Sequence, residues 1–395
     1  MSDLTTDLPR HRPDEYTDVL TRSGVLYQYV QEHARTAIDA QVSELRQLAA
    51  DYAENEYIVD NYAMALIEVV VHQPLSAIPQ AVGESRRLAA MWPDNWRINS
   101  SHACVLTNAI VRSVDQDPAA LLTEFIELAD HFGHDNFFDQ RLSIAVKALV
   151  NRQQVDVTWG LAWLRSLACA HADNKITVKN YLAAVLDRTA ADSQASRQLE
   201  PELESFLSQH PYLPIARTML AKVLYNQIVD QIVTDPPAWD KLAALVRQYP
   251  QDPEMTRWYA EGVAQTTVWF EPAGRQWAVG VLTDLARNRP DDQKIGYAYA
   301  RGLFNLSLTQ APQDQWGSVQ QLRYVVGRFP DHQIALLLAK ALFNIAKLQT
   351  GPTRASLQAE LSALAARYPH PEDIEKLSKG LAATPLPGTK GKHRG

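Results

Sequence analysis

Apolar and polar positions along this chain follow a helical rhythm that repeats on a longer scale. An aromatic residue, Pro and a polar residue recur as Trp92-Pro93-Asp94, Tyr249-Pro250-Gln251, Phe329-Pro330-Asp331 and Tyr368-Pro369-His370. Arg289-Pro290-Asp291 and His210-Pro211-Tyr212 are variants of the same string. Extended along the chain, this register sets Pro-type positions at 13, 53, 93, 133, 172, 211, 250, 290, 330 and 369, at intervals of 39 or 40 residues. A fixed period of that length is the signature of stacked supersecondary units.

Each interval has internal structure. Seven residues before the aromatic slot stand Leu45, Ser85, Phe125, Leu164, Leu203, Leu242, Leu282, Leu322 and Leu361. Four before it stand Leu48, Leu88, Leu128, Leu167, Phe206, Leu245, Leu285, Val325 and Leu364. These offsets lie on one helix face. The Pro then ends the helix, because its ring disfavours helical geometry in the preceding residue.

Nine or ten residues beyond the Pro-type position comes a small residue: Ser23, Ala63, Ala103, Ser143, Ala221, Ala260, Ala300, Ala339 and Ser378, with Leu182 the exception. A small side chain in mid-helix lets a neighbouring helix approach closely. The pattern therefore predicts an all-α chain with two helices per interval, nine intervals over 14–369, and a capping helix over 370–383. The cap covers apolar surface that the end of a stack otherwise leaves in water. Segments 1–13 and 384–395, the second of them basic, lack the pattern and are expected to be disordered.

The unit resembles the tetratricopeptide repeat family. The likeness rests on the turn Pro93-Asp94-Asn95, on small residues such as Ala260 and Ala300 in the first helix, and on apolar pairs such as Leu242 and Leu245 in the second. It covers residues 14–369. The family repeat has 34 residues, and the extra length here falls between the paired helices, around 71–78, 230–238, 269–276 and 308–316. The usual Gly column is mostly Ala. The resemblance implies a right-handed α-solenoid of about nine helix-turn-helix units. It also implies a concave groove, lined by the first helix of each unit, that holds a peptide or an extended segment of a partner.

Charge narrows the choice of partner. The net charge of -7 argues against general nucleic-acid binding, which usually shows a basic balance. Cys104 and Cys169 are the only cysteines and form no CxxC pair, so a reducing compartment is expected. The stretch from Met1 to Tyr16 has no apolar core of a secretory signal, and the apolar run from Ala63 to Val71 is broken by Glu68. A cytoplasmic protein without a membrane span is the expectation.

No phosphate-binding loop, nucleophile elbow, HExxH or calcium loop occurs. The chain is accordingly read as non-catalytic, and no cofactor or metal is assigned. His131 and His134, with Asp130 and Asp135, straddle an expected helix end and read as a solvated turn rather than a metal site. His171 and His210 fill aromatic slots and are expected to pack there. Trp159, Trp163, Trp239, Trp277 and Trp316 lie near the starts of second helices and are expected to fill gaps left by the long connectors.

The strongest functional feature is a polar column in the first helices: Gln28, Glu68, Asn108, Asp187, Asn226, Gln265, Asn305 and Asn344. Four residues earlier in the later units stand Lys222, Glu261, Arg301 and Lys340, on the same helix face. The candidate partner-binding set is Asn108, Lys222, Asn226, Gln265, Arg301, Asn305, Lys340 and Asn344. Amides both donate to and accept from a peptide backbone, and the basic residues attract carboxylates or phosphates. The competing structural reading has these amides bonding neighbouring helices instead. The functional reading is a protein- or peptide-binding scaffold. The alternatives are a helical-repeat binder of single-stranded nucleic acid and a peptide-sensing subunit acting with another chain.

Overall fold

A computed structural model describes residues 13–112, 117–232, 236–368 and 371–384. The expected disorder of 1–13 and 384–395 falls almost wholly outside them. The described residues form nineteen α-helices, one short 3-10 turn at Leu75–Ala77, and no strand. No described helix is long and apolar enough to cross a membrane.

The helices gather into two compact units, Met1–Arg188 and Thr189–Gly395. In the first unit lie α1 (Pro13–His33), α2 (Asp39–Asp51), α3 (Glu56–His72), α4 (Ile78–Met91), α5 (Trp96–Arg112), α6 (Pro118–His131), α7 (Asn136–Asn151) and α8 (Val157–Ala170). Helix α9 (Lys175–Ala191) runs across the division. The second unit holds α10 (Ser193–Gln209), α11 (Pro214–Val229), α12 (Ala238–Gln248), α13 (Pro253–Thr266), α14 (Pro272–Asn288), α15 (Gln293–Ser307), α16 (Gln315–Arg328), α17 (His332–Ala346), α18 (Gly351–Arg367) and α19 (Glu372–Ala383).

The recurrent turn works as a stop and a start. Tyr249, in the aromatic slot, ends α12 with its N–H still bonded to the Leu245 carbonyl (3.0 Å), and Trp92, His210 and Phe329 do the same on their helices. One or two residues past the Pro-type position, Asn95, Asn174, Asp252, Asp292 and Asp331 accept backbone N–H groups of the next helix. Each such cap is worth roughly 1 kcal/mol.

Packing follows the columns. In the first unit α1, α3, α5 and α7 pack each on the next, as do α11, α13, α15, α17 and α19 in the second. The even-numbered helices pack against odd-numbered neighbours, and none is as close to the next even-numbered helix among the described residues. The small column lies within the odd-numbered row: Ser23, Ala63, Ala103, Ser143, Ala221, Ala260, Ala300 and Ala339 are all buried. Where it is serine in the first unit, the next odd-numbered helix supplies a partner. Asn61 donates to Ser23 Oγ (3.0 Å) and Asn180 to Ser143 Oγ (2.9 Å). Helix α19 closes the row on α17 and α18 with Ile374 and Leu381 fully buried.

Candidate functional site

The polar column of the odd-numbered helices behaves differently in the two units. In the first unit its members have internal partners. Gln28 donates to Glu32 (3.0 Å), and Glu68 lies 3.4 Å from His72. Asn108 donates to the Cys104 carbonyl one turn back (2.8 Å), and Asp187 accepts from Asn151 (3.0 Å). In the second unit the side chains of Asn226, Gln265 and Asn344 are half-buried and make no hydrogen bond to any described residue. Asn305 is intermediate: its Nδ2 donates to Thr267 Oγ1 of the preceding odd-numbered helix (2.9 Å), leaving its carbonyl oxygen.

The cations also divide. Arg301 is held by α13, its guanidinium 2.9 Å from Glu261 Oε2 and 3.0 Å from the Glu261 carbonyl. Lys222 has no carboxylate partner among the described residues; its Nζ stands 5.5 Å from the centre of the Trp258 ring. Tyr225 tilts against the same ring, centroids 5.2 Å apart. Burial pushes the Tyr225 phenol up, with Arg301 and Glu261 pulling in opposite directions. Lys340 is exposed. Arg301 and Asn305 are thus tied into the helix row, whereas Lys222, Asn226, Gln265, Lys340 and Asn344 keep free bonding capacity.

Two further clusters lie in the first unit. His134, in the left-handed region at φ 55 after Gly133, is drawn from the solvated turn towards Asp139. Its Nδ1 lies 2.7 Å from Asp139 Oδ1 and its Nε2 2.8 Å from Asp130 Oδ1. His171, one interval later, faces the other Asp139 oxygen at 2.8 Å. The buried carboxylate therefore fastens the start of α7 to the end of α8. The hydrogen bond to Asp139 raises the His134 pKa against the effect of burial, and the Asp139 charge and Asp130 add to the rise. Trp159 and Trp163 wall the adjoining cleft of about 640 Å³. Among the described residues no three His, Cys, Asp or Glu side chains converge as a metal site.

The second cluster joins α4, α5 and α6. His102 lies between Ser85 Oγ (2.9 Å from Nδ1) and Glu124 Oε1 (3.1 Å from Nε2). Arg86 donates twice to Glu124, at 2.8 and 2.7 Å. Burial alone would raise the Glu124 carboxyl, but hydrogen bonds from Arg86 and His102 outweigh it and hold the pKa down at about 2. The grouping has the composition of a nucleophilic triad. However, Ser85 gives its proton to the Val82 carbonyl (3.0 Å) and is only 2% exposed. A triad serine meets a substrate carbonyl; Ser85 is buried away from one, and the side chains tie α4, α5 and α6 together.

Sequence reasoning missed Asp139 and Glu124. The available signal was polarity where the column is apolar: Ser85 stands among leucines. The tryptophans also divide. Trp316 packs against the core of the second unit, Trp239 and Trp277 pack on Phe270 of the connector after α13 (ring centroids 5.1 and 6.3 Å apart), and Trp159 remains 38% exposed beside Trp163. No family model matches the chain, and no curated protein matches it.

Proposed function

We propose that this protein is a non-catalytic binding scaffold, a tetratricopeptide-like α-solenoid of nine two-helix units with a capping helix, that holds an extended segment of a partner protein. The binding face is the odd-numbered helix row of the second unit. One observation carries the reading: the polar column is internally bonded through the first unit, yet at Asn226, Gln265 and Asn344 it is half-buried and unpaired. A half-buried amide without a partner costs free energy unless water or a ligand satisfies it. A peptide backbone does so at each rung.

The closer approach of odd-numbered helices supports the same face. In a bent two-layer array the more tightly spaced layer lies inside the bend, where a ligand touches several units at once. Lys222 and Lys340 give that face a positive character on a chain of net charge -7, which favours an acidic partner segment.

The test is capture from native lysate with the wild-type chain and with K222E/K340E, each checked for an unchanged melting profile. The reading expects a wild-type partner that the variant loses by at least tenfold. Equal capture by both refutes the assigned face. A captured species that is nucleic acid rather than protein favours the single-strand alternative.

A further inference from the structure

A second periodic feature lies beside the amide column. Three or four residues beyond Asn226, Gln265, Asn305 and Asn344 stand Val229, Val268, Leu308 and Leu348. They are 38%, 54%, 52% and 55% exposed. Their spacings are 39, 40 and 40 residues, so each of four successive odd-numbered helices carries one amide, that of Asn305 keeping only its oxygen, and one exposed aliphatic side chain at or just past its C-terminal end. Isolated exposed aliphatics need no explanation, but four in register form a ridge.

The first unit closes the same rim differently. There Gln73 donates to the Ala34 and Thr36 carbonyls (2.6 and 2.9 Å). Arg112 donates to the Gln73 carbonyl (3.1 Å) and also to that of Val70, and Arg152 to those of Ile110 (2.9 Å) and Val111. These side chains stitch one helix end to the next. At the equivalent rim positions of the second unit the chain has Asp230, Trp269, Thr309 and Gln349, and the ridge is left uncovered.

Spacing selects the occupant. Packed helices stand about 8–10 Å apart, so the amides and aliphatics repeat at about that distance. A β-strand shows one face every second residue, about 6.6 Å, which falls out of step within two rungs. An α-helix returns to the same face every seventh residue, about 10.5 Å, but its backbone is internally bonded and leaves the amides unsatisfied. A polyproline-II segment returns to one face every third residue, about 9.3 Å, and its backbone carries no internal hydrogen bonds. It alone meets both columns.

Resting on the scaffold reading above, we propose that the second unit recognises a polyproline-II segment with an apolar side chain at every third position. The apolar side chains lie on the Val229–Leu348 ridge, and the backbone groups between them bond the amide column. Acidic residues at intervening positions face Lys222 and Lys340.

The experiment uses fluorescein-labelled, N-acetylated peptides and the full chain, read by anisotropy. The first peptide is four copies of Glu-Pro-Leu. The second has the same composition with its leucines at alternate positions. The third is a Glu-rich helix former with Leu at every seventh residue. The proposal expects the first to bind at least tenfold more tightly than the others, and V268E/L308E to weaken it at least tenfold. Those substitutions are at exposed positions, and the melting profile verifies folding; V268S/L308S, which removes the aliphatic surface without charge, is expected to weaken binding in the same direction.

Equal affinity for the first two peptides, preference for the helix, or no effect of V268E/L308E overturns the polyproline-II assignment while leaving the scaffold reading to its capture test. If no peptide binds, the assignment also fails. Failure of the capture test together with that result removes both.

Discussion

Gly296 on α15 is a packing position where two effects of known sign compete. An ideal Cβ built there lies 2.6, 2.7 and 2.8 Å from Cγ, Cδ1 and Cδ2 of Phe329, the aromatic-slot residue that ends α16. Favourable carbon contacts fall at about 3.5–4.0 Å. Gly296→Ala improves helix propensity by about 1 kcal/mol. Overpacking costs about 1–3 kcal/mol, and this contact belongs at the severe end, because the root of a buried ring cannot swing aside. Phe329 is only 3% exposed.

The net expectation is destabilisation by about 1–2 kcal/mol, or a fall of roughly 3–6 °C in the melting temperature of a unit this size. Urea unfolding followed by far-UV circular dichroism measures it. A double-mutant cycle isolates the contact. In a Phe329→Ala background the clash is gone, and Gly296→Ala becomes neutral or stabilising by up to about 1 kcal/mol. If Gly296→Ala has the same effect in both backgrounds, the coupling is zero and the proposed seat of the aromatic slot on the preceding odd-numbered helix is wrong.

Two titration predictions follow from the first unit. Glu124 is held at about 2, below its ordinary 4.5, so its contribution is complete above about pH 4.5 and lost as pH falls towards 2. Glu124→Gln therefore flattens the acid side of the melting-temperature profile, and an unchanged acid limb contradicts the Arg86–Glu124–His102 tie. His134 is raised, so its contribution is complete below about pH 6.5 and declines as pH rises through the folded-state value. His134→Gln removes that decline, and a variant as pH-sensitive as the wild type between pH 6 and 9 refutes the Asp139 contact as its cause.

Much of the helical framework was legible because it depends on local rules. Pro after an aromatic ends a helix, Asp or Asn one or two residues later caps the next, and a leucine pair three apart marks the buried face. The burial of Ser23, Ala103 and Ala300 likewise follows from their place in a small-residue column. What was not legible depends on pairing between columns. Asn108 and Asn226 occupy the same position in their intervals, yet one bonds its own helix and the other bonds nothing described.

The same limit applies elsewhere. Asp139 reaches histidines five and 32 residues away through a fold that no local pattern encodes. The division near residue 188 also leaves no mark, since the 39-residue interval runs through it unchanged. The exposed ridge was hidden for a different reason: Val and Leu at helix ends read as core until their exposure is known.

The central claim is that the odd-numbered row of the second unit is the binding face. Hydrogen–deuterium exchange on the full chain, with and without its captured partner, tests it most directly. The account predicts added protection in the later turns of α11, α13, α15 and α17, with α12, α14 and α16 unchanged. Protection concentrated on the even-numbered helices, or confined to the first unit, contradicts it.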